Sequence, residues 1–163
     1  METLWLAVRL LLLLGVANTA PIAAKRWLGP RWSRPVDGGL VFVDGRPLLG
    51  PSKTWRGVAA AVIAGALAAP LLGLAPWIGA VIGAAAMAGD ALSSFIKRRL
   101  GIASSGRATG LDQIPEALLP LLAVQQPLAL SPALIAGVTL AFFALELPIA
   151  RWSYRRGLRD RPY

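Results

Sequence analysis

The stretch WIGAVIGAAAMAGDALSSFIKRR, residues 77–99, decides the class of protein to which this chain belongs. From Trp77 to Ile96 it is apolar apart from one carboxylate and two hydroxyls, and a helix needs about 20 such residues to cross the hydrocarbon layer of a bilayer. Basic residues follow at once, as expected where a helix reaches the lipid headgroups. We therefore predict a transmembrane helix that carries Asp90 within its length.

Four further segments are long and apolar enough, or nearly so, to be membrane-spanning helices. They run approximately over residues 4–24, 57–74, 114–130 and 132–152. The segment 114–130 is the weakest, because prolines and glutamines interrupt it: Pro115, Pro120, Gln125, Gln126 and Pro127. Composition agrees with a membrane protein, since 15% of the residues are charged, against about a quarter in soluble domains. The sequence predicts an all-α integral membrane protein, one domain over residues 1–163, built as a bundle of five transmembrane helices.

The N-terminal segment has a second interpretation. Met1–Ala20 has the apolar run and the small residues of a secretory signal peptide. Its start is acidic at Glu2, however, where a signal peptide is basic, and Arg9 interrupts the apolar run. These departures favour a first helix that is retained.

Basic residues indicate the orientation of the bundle. Every Lys and Arg except Arg9 lies in one of three segments, 25–56, 97–107 and 151–161. Five crossings place these segments on one side of the membrane, and segments rich in Lys and Arg stay in the cytoplasm. We predict a multi-pass protein of the plasma membrane, with its N-terminus outside, its C-terminus cytoplasmic, and a site formed by two cytoplasmic loops. The net charge of +9 then faces membrane lipids, and no nucleic acid partner is expected.

The amino-acid composition limits the chemistry. The chain contains no cysteine, which excludes disulfides and thiolate sites, and no histidine, the usual base near neutral pH. Catalysis must therefore use carboxylates, hydroxyls, Lys, Arg and hard cations.

Asp90 is the most informative position, because an ionised carboxylate inside a membrane segment needs a partner, a cation or water. On a helix, Ser93, Ser94 and Lys97 follow it at i+3, i+4 and i+7 and share its stripe. Carboxylate and hydroxyl oxygens suit Mg²⁺. Phosphates would meet the basic residues that end the stripe: Lys97, Arg98 and Arg99. In the structural alternative, Asp90 pairs with Lys97 or Arg98, and the basic cluster anchors the helix at the headgroups.

A second constellation is GPSKTWRG, residues 50–57, directly before the second helix. Ser52 or Thr54 can cap that helix, whose free N–H groups and dipole favour an anion. Lys53 and Arg56 add positive charge. An anion site and a plain interfacial cap, with a tryptophan in the aromatic belt, are both open.

A third group opens the fourth helix, where Asp112, Gln113 and Glu116 follow a Gly/Ser-rich loop. If the third and fourth helices pack antiparallel, Asp112 approaches Asp90. Two carboxylates around one or two cations form a clamp for phosphoryl or nucleotidyl transfer. Glu116 is equally well explained as an acidic residue placed for the helix dipole.

Further polar residues lie inside apolar segments. Asn18 and Thr19, near the cytoplasmic end of the first helix, can hydrogen-bond a neighbouring helix or a headgroup. Glu146 lies within the last helix with no motif around it, and a basic partner is expected.

Together these pieces resemble the CDP-archaeol synthase family, small five-helix relatives of the CDP-diacylglycerol synthases. Four elements in order carry the resemblance: Asn18-Thr19-x-Pro21, Lys53 to Gly57, Gly89-Asp90 with Ser94 to Arg99, and Asp112-Gln113. It covers the chain from about Asn18 to the last helix.

The resemblance implies a magnesium-dependent cytidylyltransferase, in which a membrane lipid phosphate attacks the α-phosphorus of CTP and pyrophosphate leaves. Asp90 and Asp112 would hold Mg²⁺, and Ser94 and Lys97 would contact phosphate or metal. Lys53 and Arg56 would bind the phosphates of the nucleotide. Other polar residues in or beside these elements are also expected to bind substrate: Asn18, Thr54, Ser93, Arg98, Arg99 and Gln113. The expected partners are CTP and a lipid phosphate, and a homodimer is left open.

The sequence departs from the family pattern at two points. The His-Gly-Gly and Asp-Arg element of the larger synthases is absent, and Ile114-Pro115-Glu116-Ala117 stands where archaeal members more often carry an acidic–aromatic pair. The lipid therefore stays open between an ether-linked isoprenoid glycerophosphate, phosphatidic acid and another lipid phosphate.

Two other classes of function fit parts of the sequence. A small transporter or channel, with Asp90 and Lys97 gating an ion path, would need polar residues through the membrane depth, whereas the basic residues nearly all lie at one surface. A non-catalytic membrane subunit with an anion-binding cytoplasmic face would tolerate substitution of Asp90 and Asp112.

Overall fold

The computed structural model of this chain describes residues 1–104, 106 and 108–157, without the side chains of residues 147 and 151. Arg107, Arg159 and Arg161, which belong to the basic segments, lie outside these described residues. The described chain folds into five helices: α1 (Glu2–Leu28), α2 (Trp55–Leu71), α3 (Pro76–Arg99), α4 (Gln113–Ala123) and α5 (Pro132–Arg155). The prediction of an all-α fold is confirmed for this part of the chain.

Three helices in the described ranges have the length and apolar character of membrane spans. They are α1, α3 and α5, with 27, 24 and 24 residues and mean hydropathies of 1.8, 1.5 and 2.0 in their apolar windows. α2 is apolar but has 17 residues. The structure therefore supports a helical membrane protein, and the number of crossings depends on the shorter helices α2 and α4.

α4 differs most from the prediction, which continued it to Leu130. The helix ends at Ala123, and residues 124–129 form turns. Pro127 has no N–H to donate, and its ring would clash with the preceding turn of a helix. With 11 residues at about 1.5 Å each, α4 is roughly half as long as a hydrocarbon layer is thick. The predicted end of this helix is therefore wrong.

α2 and α3 pack with their backbones in direct contact. A Cβ atom added at Gly79 would lie 1.9 Å from the carbonyl oxygen of Gly65, and one at Gly83 would lie 2.4 Å from that of Ala61. Such distances admit only glycine, so the two helices can approach this closely only because Gly79 and Gly83 have no side chain. This close approach fixes the helix that carries Asp90 against α2.

α1 is an integral part of the bundle. The side chains of Leu10, Leu13, Leu14 and Ala17 have no exposed surface, and they share one apolar core with residues of the other helices. This packing is what a retained first helix requires.

The basic segments meet at one end of the bundle. Arg26, near the end of α1, donates a 2.7 Å bond to the carbonyl of Gly157, which follows α5. Arg46, between α1 and α2, donates a 2.7 Å bond to the carbonyl of Arg99, the last residue of α3. We call this end the polar face; it comprises Asp90 and the described residues of 25–56, 97–112 and 155–157. The turns at the other end join α2 to α3 and α4 to α5.

Candidate functional site

An ion pair between Lys53 and Asp90 joins the segment before α2 to α3. Lys53 Nζ lies 2.5 Å from Asp90 Oδ2, and the two side chains are 19% and 24% exposed. The structural alternative from the sequence, in which Lys97 or Arg98 is the partner, is wrong. Seven residues along a helix span about 10 Å, so Lys97 lies far up the stripe from Asp90. The neutralising lysine comes instead from a loop folded against α3.

The backbone before α2 sets the position of Lys53. The carbonyl of Lys53 accepts a 2.8 Å bond from Val36 N–H, and Pro35 and Thr54 form an antiparallel bridge. Thr54 caps α2 as expected, since its hydroxyl accepts a 3.3 Å bond from Gly57 N–H. The backbone at Lys53 is therefore held by pairing with Pro35 and Val36 and by the cap of α2, and this fixes the point from which its side chain extends.

A second lysine–carboxylate pair closes the loop between α3 and α4. Lys97 Nζ lies 2.5 Å from Asp112 Oδ1 and donates a 3.2 Å bond to the carbonyl of Gly106. Asp112 Oδ2 accepts a 3.0 Å bond from Ala108 N–H. Both oxygens of Asp112 are engaged within this loop, and Lys97 is 7% exposed.

Glu116, whose role the sequence left open, lies beside Asp90. α3 and α4 touch at Gly89, where an added Cβ would lie 2.2 Å from the carbonyl oxygen of Pro115. The next residue, Glu116, faces Asp90, and the two carboxyl groups lie close enough to interact. The helix-dipole interpretation of Glu116 misses this contact. The available signal was the glycine beside Asp90, because an isolated glycine in a helix often has a packing or functional reason.

The polar network continues from α4 to α5 through Gln113 and Glu146. Gln113 is 5% exposed, and its Nε2 donates a 3.0 Å bond to Glu146 Oε2. The Oε1 atom of Gln113 accepts a 2.8 Å bond from Gly110 N–H. Both ends of this amide therefore contact protein groups. Glu146, for which the sequence suggests a basic partner, has an amide among its partners.

Ser93 and Ser94 are both buried on α3. Ser93 Oγ lies 2.9 Å from the carbonyl oxygen of Gly89 and 2.7 Å from that of Leu111, with one proton to share between them. Ser93 thus ties α3 to the loop that leads to Asp112. Ser94 is 3% exposed and stays the serine predicted to contact metal or phosphate.

Asn18 and Thr19 bond within α1. Asn18 Nδ2 donates a 3.0 Å bond to the carbonyl of Leu14, and Thr19 Oγ1 donates a 2.7 Å bond to that of Gly15. Of the two partners that the sequence suggests, a neighbouring helix is not found among the residues described, and a headgroup stays a prediction. The physical reason is that short polar side chains in a helix reach the carbonyl four residues back.

Arg56 supports the loop that follows α1. Its Nη1 donates bonds of 2.7 Å and 2.6 Å to the carbonyls of Gly29 and Arg31. The guanidinium predicted to bind nucleotide therefore already holds two backbone carbonyls.

The two arginines that end α3 also hold loops. Arg98 is 5% exposed and donates a 2.9 Å bond from Nη2 to the carbonyl of Ala103. Arg99 donates a 2.7 Å bond to the carbonyl of Pro47 and lies 3.1 Å from Asp44. Both guanidiniums turn toward the loops of the polar face.

Asp37 fixes the loop between α1 and α2 from within. Its Oδ2 accepts bonds of 2.9 Å and 3.1 Å from the N–H groups of Leu49 and Gly50, and its Oδ1 accepts one of 3.0 Å from Gly39 N–H. Burial by itself raises the pKa of this carboxyl, but the N–H bonds outweigh burial and lower its pKa below the ordinary value. The charged carboxylate thus holds Gly50, shortly before Lys53.

The donor set fits one way of binding Mg²⁺. The carboxylates of Asp90, Glu116 and Asp112 are hard oxygen donors, the type that Mg²⁺ prefers. Within the described ranges, no group of three or more His, Cys, Asp or Glu is placed to hold a metal ion on its own. Mg²⁺ commonly binds through one or two carboxylates together with substrate phosphates and water. The residues present fit that mode, in which the protein supplies part of the coordination shell.

The predicted site residues fall into groups according to their contacts. Two ion pairs at the polar face use Lys53, Asp90, Lys97 and Asp112. The remaining hydrogen bonds to predicted site residues join protein elements or stay within one helix, and they involve Asn18, Thr54, Arg56, Ser93, Arg98, Arg99 and Gln113.

Comparison with known proteins gives consistent matches. The family model described as CarS-like, CDP-archaeol synthase, matches residues 5–78 and 74–163. A CDP-archaeol synthase of Hyperthermus butylicus is 41% identical over 60% of this chain and 59% of its own length. One of Aeropyrum pernix is 38% identical over 96% of this chain and 91% of its own length. A solved structure of an intramembrane enzyme for archaeal membrane lipids biosynthesis is 37% identical, with a TM-score of 0.72 over 88% of this chain and 91% of that chain.

Proposed function

Because this chain belongs to the CDP-archaeol synthase family, we propose that it is a CTP-dependent cytidylyltransferase that forms a CDP-activated membrane lipid and releases pyrophosphate. The similarity extends over nearly the whole chain. The observation at the site that carries the proposal is the Lys53–Asp90 pair. It brings two elements of the family resemblance, far apart in the sequence, into one contact of 2.5 Å.

The chemistry suits a protein without histidine. The lipid phosphate is already an anion, so its attack on the α-phosphorus of CTP needs no general base. One of its oxygens forms the new bond to phosphorus while the bond to the pyrophosphate oxygen breaks. Since both reactants are negative, the main requirement is positive charge held in a fixed geometry. The polar face provides that charge on residues whose loops are tied by hydrogen bonds.

We assign the carboxylates and lysines complementary roles. Asp90, Asp112 and Ser94 would hold Mg²⁺, with Glu116 beside Asp90, and bound Mg²⁺ supplies neutralisation of phosphate charge. Lys53 and Lys97 would then contact phosphate oxygens in place of the carboxylates that they pair with here. In such an exchange every charge would stay paired. Each lysine would bind a phosphate, and the carboxylate that it leaves would bind the cation.

For the membrane arrangement we propose five crossings, with the N-terminus outside and the polar face in the cytoplasm of a plasma-membrane protein. The basic segments gathered at the polar face support this orientation. The 17-residue α2 and the 11-residue α4 would cross or enter a locally thinner layer. The lipid proposed first is an ether-linked isoprenoid glycerophosphate, with phosphatidic acid as the alternative, and either a monomer or a homodimer is compatible.

A product assay tests this function. Purified protein in detergent is incubated with each nucleoside triphosphate, Mg²⁺ and a panel of lipid phosphates, and the products are identified by mass. We expect pyrophosphate and a CDP-lipid only when CTP, Mg²⁺ and a lipid phosphate are all present. Formation of pyrophosphate without lipid, or no CDP-lipid with any member of the panel, would overturn the proposal.

A further inference from the structure

A groove of about 900 Å³ opens at the start of α2, apart from the lysine–carboxylate pairs. Its walls are Pro30 and residues 32–35 of the loop after α1, and Trp55, Arg56 and Ala59 of α2. We call it the entrance groove. Its wall contains two arginines and no acidic residue, which favours an anionic occupant.

The two arginines of the groove have uncompensated charge. Arg34 is exposed, and in the described part of the chain its guanidinium makes no ion pair or hydrogen bond. Arg56 uses Nη1 for two backbone carbonyls, and its Nε has no described partner. Neither guanidinium pairs with a carboxylate among these residues. A phosphate in the groove would supply the missing negative charge.

Two tryptophans place the groove at the level of the lipid headgroups. Trp32 is 78% exposed and Trp55 is 59% exposed. Trp32 has a φ of 53°, an uncommon conformation for a residue other than glycine. Tryptophans gather where hydrocarbon meets water, because the ring is largely apolar and its N–H is polar.

An apolar path leads from the groove along α2. Residues at four-residue spacing, from Trp55 through Ala59, Ile63 and Leu67 to Leu71, are all exposed and form one stripe of the helix. The opposite side of α2 faces α3 through its glycine and alanine contacts. A lipid whose phosphate occupies the groove can therefore lay its chains along this stripe.

Backbone hydrogen bonds also connect the wall of the groove to Lys53. Trp55 N–H donates a 3.1 Å bond to the carbonyl of Arg34, and Val36 N–H donates one of 2.8 Å to the carbonyl of Lys53. The wall of the groove and the lysine that pairs with Asp90 thus belong to the same short stretch of paired backbone.

We propose that the entrance groove binds the phosphate headgroup of the lipid that accepts the cytidylyl group, with the lipid chains along the exposed stripe of α2. The identity of this lipid as a substrate rests on the proposed function. The binding of a lipid phosphate at the groove does not.

Kinetics of Arg34→Gln test the proposal when the enzyme is active. We expect the KM for the lipid phosphate to rise roughly 10-fold, as for loss of one charged hydrogen bond, with the KM for CTP unchanged. The matched control is Arg9→Gln, which removes a charge beside Gly73, at the end of the bundle opposite the polar face, and should leave both constants unchanged. A rise in the KM for CTP alone, or no change in either constant, would overturn the proposal.

Tryptophan quenching tests binding without any turnover. The full chain in detergent is titrated with bromine-labelled phosphatidic acid and, separately, with phosphatidylcholine carrying the same labelled chains. We expect stronger quenching by phosphatidic acid, reduced in Arg34→Gln and in the double variant Trp32→Phe, Trp55→Phe. Equal quenching by both lipids would contradict the proposal, and so would displacement by inorganic phosphate at equal concentration, which would indicate a free-anion site. If the protein makes no CDP-lipid but is still quenched selectively by phosphatidic acid, the groove is a lipid-phosphate site and the proposed function is wrong.

Discussion

The two lysine–carboxylate pairs of the polar face have the same length and different surroundings. Lys53 and Asp90 are 37 residues apart in the chain, and Asp90 also faces the carboxyl group of Glu116. Lys97 and Asp112 lie at the two ends of one loop, and backbone groups of that loop hold both of them. The first pair joins elements that are far apart in the sequence, whereas the second pair holds together the two ends of a single loop.

This difference indicates how each pair responds to substrate. Two adjoining carboxylates repel each other when both are ionised, so a second cation near Asp90 and Glu116 is favoured. Asp112 already has partners on both oxygens, and it can gain less from a further cation. We therefore expect charge at Asp90 to matter mainly for turnover, and charge at Asp112 to matter for both turnover and loop structure.

The largest effect is expected from Asp90→Asn. Removing this charge should lower kcat by about 100- to 1,000-fold, the usual range for loss of one electrostatic group at a reacting phosphate or oxyanion. The measurement is CDP-lipid formation at saturating CTP, with thermal unfolding as the check on folding. Asp44→Asn is the matched control, because it also removes one loop carboxylate, whose partner is Arg99 and not Lys53, and its effect on turnover should be much smaller. Near-normal turnover of Asp90→Asn would contradict the proposed role of Asp90 in the reaction.

Asp112→Asn should have the next largest effect, and it tests the comparison directly. We expect a loss of turnover of about 10- to 100-fold, as for disturbed metal sites, with a higher Mg²⁺ concentration needed for half-maximal rate. The variant should also unfold at a lower temperature, because Lys97 loses its charged partner. If the unfolding temperature falls while the Mg²⁺ requirement is unchanged, Asp112 stabilises the loop and does not bind the cation.

The third substitution, Asp37→Asn, weakens the loop that carries Lys53 and does not change the Lys97–Asp112 pair. Since folding lowers the pKa of Asp37, its charged form stabilises the native protein at neutral pH, and this stabilisation is lost as the pH falls below the ordinary carboxyl value. The variant should lose about 1–3 kcal/mol of stability at pH 7.

Thermal unfolding of wild type and Asp37→Asn from pH 7 to pH 3 measures that effect. The difference in unfolding temperature should be constant near neutrality and shrink below about pH 4. A difference that grows with acidification would contradict the lowered pKa.

The smallest effect is expected from Ser93→Ala. The hydroxyl of Ser93 serves two backbone carbonyls, so its loss should cost about 1 kcal/mol of stability. Turnover should stay within about threefold of wild type, because the hydroxyl contacts backbone carbonyls in this structure. A much larger loss of turnover, with normal stability, would return Ser93 to the substrate-binding residues that the sequence suggested.

Much of the membrane architecture could be predicted because it depends on local patterns. Long apolar runs indicated α1, α3 and α5, and the same runs bounded the basic segments that meet at the polar face. The end of α4 could not be placed as well, because whether a proline ends a helix or only kinks it depends on what neighbouring segments satisfy.

The site was predictable only in part. Asp90 was evident, since an isolated carboxylate in an apolar run needs compensation whatever the fold. Its partner was not, because helical spacing relates Asp90 to residues of its own helix and carries no information about the loop that bears Lys53. Glu116 was ambiguous for the same reason, as its orientation follows from contact between the backbones of α3 and α4 at Gly89.

By itself, the sequence determined that this is a helical membrane protein whose positive charge lies at one end and whose third long apolar segment carries a carboxylate. These properties follow from transfer of side chains between water and lipid, which each segment experiences separately. Only the tertiary structure decided which lysine neutralises which carboxylate, that Glu116 joins Asp90, and that a cationic groove opens at the start of α2. Such pairings depend on distances of a few ångströms between elements, which are set by how the helices and loops pack.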